Sequence, residues 1–481
     1  MESWRKLLIY FVSVKTKVVI LDRIQPDDVL SLPNLLDLQP SSLNSLPMKS
    51  RNFSQMSRRK FLTLTGTATT VALTSSKATV MRASTSHSFF ASERIRVGAI
   101  GVGGRGSLLL EQLPESAEIV AVADCNQPRA YAFRDKVKAD WPVHSDYRRI
   151  LERKDIDAVI VATGEFQRIL PCIEACMAGK DIYAEKPLSL YIAEGRALVD
   201  VARKTKRIVQ VGTQQRSMEI NRVACELIRS GGLGKLLEVR AIAYEGPQPS
   251  PAQGFPMEET PKDFDWNMWL NQAAERPFNS KWMGWMQWRD FAGGQMTNWG
   301  AHGVDQIQWA LGADDTGPVE LENLSSGLSG QVRMKYANGV PVNFVIEPGK
   351  GPMGGAVFVC EQGKLEINRN KYTSNPPEIA AALNQQLDIA EEERKWSDDL
   401  ALWQAKWHMQ NWLDCIRSRE LPVADVEIGH RSVSVCHLAN IVRAVGRPLK
   451  WNPEKELFDG DDTANGYLVR ARRAGFELPT V

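Results

Sequence analysis

The sequence predicts a two-part α/β chain: a doubly wound parallel sheet over 94–213, then an α+β domain with a large, mostly antiparallel open sheet over 214–481. Three observations carry this. From Ile95 onward, short β-branched runs alternate with helical ones, the signature of βαβ units on a parallel sheet. A glycine turn, GVGGRG, follows the first of those runs. After Ser217 the alternation stops, and the runs LEVRAIAYEG, QVRMKYANGVPVNFVIE and AVFVCEQGKLEIN show period-two character, with hairpin turns at Asn338-Gly339 and Gln362-Gly363.

A chain of 481 residues with 43% hydrophobic and 24% charged residues is an ordinary globular composition, large enough for two or three domains. A net charge of +2 argues against nucleic acid as the main partner. Seven cysteines, an odd number with no CxxC pair, predict neither a disulfide framework nor a zinc ribbon, and no metal centre is expected. Cys172 and Cys176 read as buried helix residues. No apolar run reaches the ~20 residues that span a bilayer as a helix, the segment LLIYFVSVKTKVVIL being interrupted by Lys15 and Lys17.

Residues 1–93 are expected to form a disordered extension carrying an address. Arg58 and Arg59 precede the charge-free stretch FLTLTGTATTVALTSS, which resembles a twin-arginine export signal with its core at 57–76 and predicts a periplasmic destination. Export signals act from the start of a chain, so translation is expected to begin at Met48 or Met56. Ala78, Ala83 and Ala91 each follow small residues and are the candidate cleavage positions.

In order, the first domain reads as strand RVGAI, helix GSLLLEQL, strand EIVAVAD, a helix through Ala130 to Lys138, strand AVIVAT, helix RILPCIEACMAGK, strand DIYA and helix AEGRALVDVARK. The glycine turn lies between strand and helix, where a dinucleotide pyrophosphate binds at a helix N-terminus. Gly101 permits the tight turn, Gly103 and Gly104 let phosphate approach the backbone, and Gly106 lets helix and strand pack closely. Asp124, at the end of the next strand, can accept hydrogen bonds from the adenosine ribose hydroxyls and would repel a 2′-phosphate, which favours NAD. Arg105 and Arg129, either able to contact a phosphate, leave NADP as the alternative.

The stretch AEKP, Ala184 to Pro187, closes a later strand at its carboxyl end, where ligands of open α/β sheets bind. There the Lys186 ammonium can hydrogen-bond a substrate hydroxyl and take part in proton transfer; the plainer reading is a surface lysine paired with Glu185. With GVGGRG and AEKPLS in this order and separation, the chain resembles the Gfo/Idh/MocA oxidoreductases from about Ile95 to its C-terminus. The resemblance implies a Rossmann cofactor domain, a catalytic role for Lys186, and cofactor contacts from Gly101, Gly103, Gly104, Arg105, Gly106, Asp124, Thr163, Glu185, Lys186 and Gln214. It also implies a homodimer or homotetramer assembled through the second sheet. One departure stands out: where the family has an ATP-acid-His loop, this chain has ATGEFQR, Ala162 to Arg168.

In the second domain, helical spacing over 298–311 would put Asn298, His302 and Asp305 on one face. His302 suits general acid and base work; alone, it is as readily a satisfied structural histidine, but the resemblance implies the catalytic reading. The family often has an aspartate where this chain has Asn298, and an amide takes up no proton, so Asn298 is expected to orient. Proton transfer then falls to Lys186 and His302, with Asp305 holding the imidazole tautomer. Seven tryptophans lie between Trp266 and Trp309; one or two of Trp282, Trp285 and Trp288 are expected to line a polyol pocket, the rest to be core. His430 and His437 read as packing residues, Trp403 and Trp407 as core, and 375–399 as a solvated helix or lid.

Together these features predict a periplasmic oxidoreductase that retains NAD tightly and acts on a CH–OH group of a sugar or polyol. Twin-arginine export moves folded proteins, so a cofactor bound in the cytoplasm can travel with the chain. An NAD-dependent glycosidase, lyase or epimerase working through transient sugar oxidation is the alternative within enzymes. A non-catalytic binding protein that keeps a cofactor is the alternative outside them.

Overall fold

The structure is a computed structural model that describes residues 11–14, 17–20, 94–369, 371–387 and 398–479. The export segment expected at 57–76 lies outside them. Strands β1 (Phe11–Val14) and β2 (Lys17–Ile20) form an antiparallel hairpin within a unit spanning residues 1–86, separate from the unit spanning 87–481.

The β-branched runs of the first domain become β3 (Ile95–Ile100), β4 (Ala117–Ala123), β5 (Val143–His144), β6 (Ala158–Val161), β7 (Asp181–Ala184) and β8 (Val209–Val211). They form a six-stranded sheet in the order β5-β4-β3-β6-β7-β8, every pair parallel. β6 and β7 are buried at every position, as expected of central strands covered on both faces. The strand order reverses between β3 and β6, so the loops after these two strands open the crevice in which such sheets bind ligands.

The intervening helices are α1 (Gly104–Glu111), α2 (Gln127–Lys136), α3 (Ile169–Met177) and α4 (Ile192–Thr205). Cys172 and Cys176 are buried on α3, as their spacing implies. The second domain adds α5 (Glu219–Arg229), α6 (Gln295–Asn298), α7 (Gly300–Leu311), α8 (Asp398–Ser418) and α9 (Val426–Val445). Its strands are β9 (Leu236–Ile242), β10 (Pro318–Asn323), β11 (Val332–Tyr336), β12 (Pro341–Ile346), β13 (Ala356–Cys360), β14 (Gly363–Asn368), β15 (Lys371–Asn375) and β16 (Leu449–Lys450).

These make an eight-stranded sheet, β15-β14-β13-β9-β12-β11-β10-β16, antiparallel throughout except for the β9–β12 pair. On β11 the alternation is explicit: Val332, Met334 and Tyr336 face the core while Arg333 and Lys335 are exposed. Gly339 turns the β11–β12 hairpin with a φ of +86°, and the Asn338 side chain accepts the Val340 amide.

The C-terminal helices return to the first domain. α1, α2 and α8 cover one face of the parallel sheet, and α3 and α4, with Val426 and Val433 of α9, cover the other. On α8 this corrects the expectation for Trp407, which is 41% exposed, whereas Trp412 is fully buried edge-on to Tyr183 of β7. The buried stripe is Met409, Trp412, Leu413 and Ile416, spaced by three and four residues, and Trp407 lies off it. The side chain of Trp403 lies outside the described residues. The stretch after Asn375 begins with helix Glu378–Gln386, largely exposed and anchored by Leu383, which is buried against the second core; 388–397 lie outside the described residues.

Because α8 inserts the fully buried Trp412 against Tyr183 of β7, Trp412→Ala should cost about 3–5 kcal/mol of unfolding free energy. Urea denaturation followed by circular dichroism checks this. A loss under about 1 kcal/mol would mean α8 is not part of the first domain's core.

Candidate active site

Between β3 and α1 the chain turns at Gly101, whose φ of +87° only glycine adopts readily. Gly106 touches that turn from the helix: a Cβ there would lie 2.2 Å from the Gly101 carbonyl oxygen. Gly103 and Gly104 are the opposite case, since a Cβ on Gly104 meets nothing within 4 Å and one on Gly103 meets only the Arg129 guanidinium at 3.5 Å. The backbone there faces the open cleft, a cradle that side chains would narrow. Asp124 follows β4 and braces the turn, its carboxylate accepting Val102 N at 2.9 Å and Asn126 N at 2.8 Å. Cys125 Sγ and Arg129 Nη1 also lie against it, at 3.8 and 3.9 Å. The cleft encloses about 540 Å³, and its walls carry the glycine turn, Asp124, Thr163, Glu185, Lys186 and Asn298. These features fit a dinucleotide.

At the end of β7 the buried Glu185 accepts Arg105 Nε at 2.6 Å and its neighbour's amide, Lys186 N, at 2.8 Å. Burial alone would raise the Glu185 carboxyl, but Arg105, Lys186 and Arg168 outweigh it and hold the group below the usual carboxylate range. Arg105 is therefore engaged with Glu185 through Nε, while its Nη2 is buried without a hydrogen-bond partner among the described residues. Lys186 Nζ reaches across the cleft to α6, donating to the Asn298 carbonyl at 3.0 Å and to Asn298 Oδ1 at 3.1 Å. Asn298 Nδ2 donates to Gln295 Oε1, which fixes the amide with its oxygen toward the lysine. Burial, with Arg105, Arg168 and Arg369 nearby, lowers Lys186 to about 8 against the opposing pull of Glu185.

The three second-domain residues expected on one face separate. α7 is buried on nearly every side, so helical register alone does not decide what each side chain meets. Asn298 meets Lys186. His302 is buried without lining the cleft, and its Nδ1 has no partner among the described residues. Burial, then the charges of Lys186, Arg369 and Arg105, hold the imidazole well below its ordinary pKa, so it is neutral near pH 7. Asp305 does not orient it: the carboxylate accepts Arg216 Nε at 2.9 Å and Ser432 Oγ at 2.8 Å. Gln214 is buried on the turn Gln214–Ser217 and is not part of the cleft wall.

The departing loop ATGEFQR ties the domains together, which sequence reasoning missed. Arg168 donates to the carbonyls of Thr163 and Pro187, linking the loops after β6 and β7. Phe166 is fully buried among second-domain aromatics, 4.7 Å from Phe291 and 5.1 Å from Trp269 between ring centroids. Glu165 Oε2 accepts Gly293 N at 3.2 Å and Thr297 Oγ1 at 3.1 Å on and just before α6, while Oε1 is buried without a partner. Burial raises this carboxyl to about 8. An acid between a buried strand and a phenylalanine was the one local hint.

Of the tryptophans, Trp269 and Trp285 line the cleft with Met286. Trp282 is buried and Trp288 packs beside it in the aromatic cluster. His430 bonds Glu456 at 2.6 Å and His437 bonds the Ser189 carbonyl at 2.9 Å, both buried.

A parallel sheet with a glycine cradle is joined by its strand-end lysine to a second domain with an antiparallel sheet. Residues 95–213 match the family model described as an oxidoreductase family NAD-binding Rossmann fold, and 227–478 match its C-terminal alpha/beta domain. The chain belongs to the Gfo/Idh/MocA oxidoreductase family. It is similar to inositol 2-dehydrogenase of Salmonella typhimurium, with 29% identity over 154 residues, which are 31% of this chain and 46% of that protein. A glycosyl hydrolase family 109 protein of Shewanella sp. is 32% identical over 157 residues, 31% of this chain and 34% of that one. The chain thus spans less than half the length of either relative. Among solved structures, the WlbA dehydrogenase of Chromobacterium violaceum in complex with NADH and UDP-GlcNAcA shares the fold, with a TM-score of 0.55 at 18% identity over 76% of this chain and 97% of that one.

If the backbone at Gly104 is the phosphate cradle, Gly104→Ala should leave the melting temperature within about 2 °C of the parent while weakening NAD binding at least tenfold or so, as read by calorimetry. Unchanged NAD affinity would exclude the cradle.

Proposed function

We propose that the protein is an NAD-dependent dehydrogenase that oxidises a CH–OH group of a sugar or polyol. The observation that carries this reading is the Lys186 ammonium, its pKa lowered to about 8 and its Nζ held by Asn298 at the wall of the dinucleotide cleft. Bound NAD supplies the two-electron acceptor. In its neutral form Lys186 accepts the substrate hydroxyl proton as the carbon is oxidised, and Asn298 aims it. His302, neutral and with an unpartnered Nδ1, takes the second place in the proton path. Trp285, half-buried in the cleft wall, suits the C–H side of a ring, while Trp269 beside it is stacked on Trp266.

The Arg58-Arg59 signal supports export to the periplasm, and the cleft then has to retain its cofactor, since no free dinucleotide pool replenishes it there. The second sheet would join copies into a homodimer or homotetramer. A redox-neutral variant draws support from the Shewanella relative, named a glycosyl hydrolase, and from Glu165, a buried carboxyl raised to about 8 on the loop that borders the cleft. Release of an aglycone without accumulation of oxidised sugar would select this variant.

Screening inositols, hexoses and their glycosides for reduced-nicotinamide absorbance tests the reading. With the best substrate, kcat/KM should rise about tenfold per pH unit and level off above pH about 8, because only the neutral lysine accepts a proton. Lys186→Ala should lose about 10²- to 10⁴-fold in kcat with NAD binding retained. A Lys186→Ala variant as fast as the parent would refute the assignment.

A further inference from the structure

A second cavity, of about 300 Å³, lies between α9, the chain following Pro187 and the turn at Gly327-Leu328. Its charged lining is one-sided: Arg289 and Arg443 face it, and no carboxylate does. The Arg443 guanidinium is held by neutral acceptors, Nε to the Gly330 carbonyl at 2.7 Å and Nη1 to the Tyr244 carbonyl at 2.9 Å. Its Nη2 is buried without a partner, and the side chain forms no ion pair among the described residues.

Several other buried arginines of the fold are neutralised, although Arg168 too donates to backbone carbonyls. Arg216 has Asp305 and Asp314, Arg470 and Arg472 share Glu194, and Arg105 has Glu185. A guanidinium taken from water without a counter-charge is costly, and an external anion relieves that cost. Burial, the sole influence on Arg443, lowers its pKa to about 10, the direction expected of an uncompensated cation. Arg289, at the exposed rim, also forms no ion pair among the described residues. Leu190, Leu328 and Ile441 supply apolar wall between and beside the two cations.

We propose that this cavity binds a small organic carboxylate, its anionic head toward Arg443 and Arg289 and its uncharged body against Leu190, Leu328 and Ile441. The volume holds a molecule of the size of a benzoate or a short fatty acid, and the mixed lining favours a head-and-body ligand over a bare ion. A charge-assisted hydrogen bond from a guanidinium supplies the specificity for the head. The site is separate from the dinucleotide cleft, and binding there is read without turnover, so it stands or falls independently of the dehydrogenase reading.

The test is calorimetry on the full chain with three probes: benzoate, the neutral benzamide, and inorganic phosphate. Benzoate should bind once per chain, at least about tenfold more tightly than benzamide or phosphate. Arg289→Ala, a rim change that leaves the core untouched, and Arg443→Gln, its fold checked by circular dichroism, should each weaken benzoate by about tenfold or more. Absence of benzoate binding, affinity unchanged in both variants, or competition between benzoate and NAD would overturn the proposal. Phosphate bound as tightly as benzoate would overturn the carboxylate assignment.

Discussion

The hydrogen bonds from Lys186 Nζ to Asn298 are the point on which the molecule depends, because they join the end of a strand in one domain to a helix of the other. Neither partner is useful alone. A lysine at the end of β7 without Asn298 would have its flexible stem free to rotate, and Asn298 without the lysine would present an amide to an empty cleft. The loop 162–168 keeps the two in register. Phe166 is sunk in the aromatic cluster and Glu165 holds Gly293 and Thr297, so α6 is gripped at its beginning while Lys186 meets its end. Arg168 serves the same joint, since a guanidinium can reach the Thr163 and Pro187 carbonyls at once.

Charge distribution then decides the protonation states. Arg105, Arg168 and Arg369 crowd Lys186, and one fully paired carboxylate, Glu185, opposes them. In water such an excess of positive charge would be screened within a Debye length, but here burial preserves it. The same excess keeps His302 neutral, and the same burial that lowers the lysine raises Glu165. One environment thus pushes a base and an acid toward neutrality from opposite sides, the pattern expected where protons are exchanged.

The first domain was legible because its signals are local. Strand, glycine turn, helix and Asp124 stand within one βαβ unit, and Lys186 is marked by its place at a strand end. The second sheet was legible from period-two runs and the Asn338-Gly339 turn, whereas the turn expected at Gln362-Gly363 falls one residue earlier, at Glu361-Gln362, with Gly363 opening β14. What escaped is what depends on partners distant in sequence. Asp305 sits at the right spacing to serve His302, yet Arg216 and Ser432, from other elements, claim its carboxylate. Glu165 gains its meaning from Gly293 and Thr297, and Trp407 lies outside while Trp412 is buried because the first domain's sheet decides which side of α8 is inside. Spacing reports which residues share a face; it does not report what that face meets.

The joint also bears on how a cofactor is held. The cleft takes its floor from the glycine turn and Asp124 and part of its wall from Trp269, Trp285, Met286 and Asn298 of the second domain. A dinucleotide enclosed on both sides leaves only when the walls separate. Separation would withdraw Phe166 from its cluster, strip Glu165 of both hydrogen bonds and uncouple Lys186 from Asn298, exposing apolar rings and buried charges together. The same contacts that aim the lysine thus hold the two walls together, and the ATGEFQR loop contributes to both.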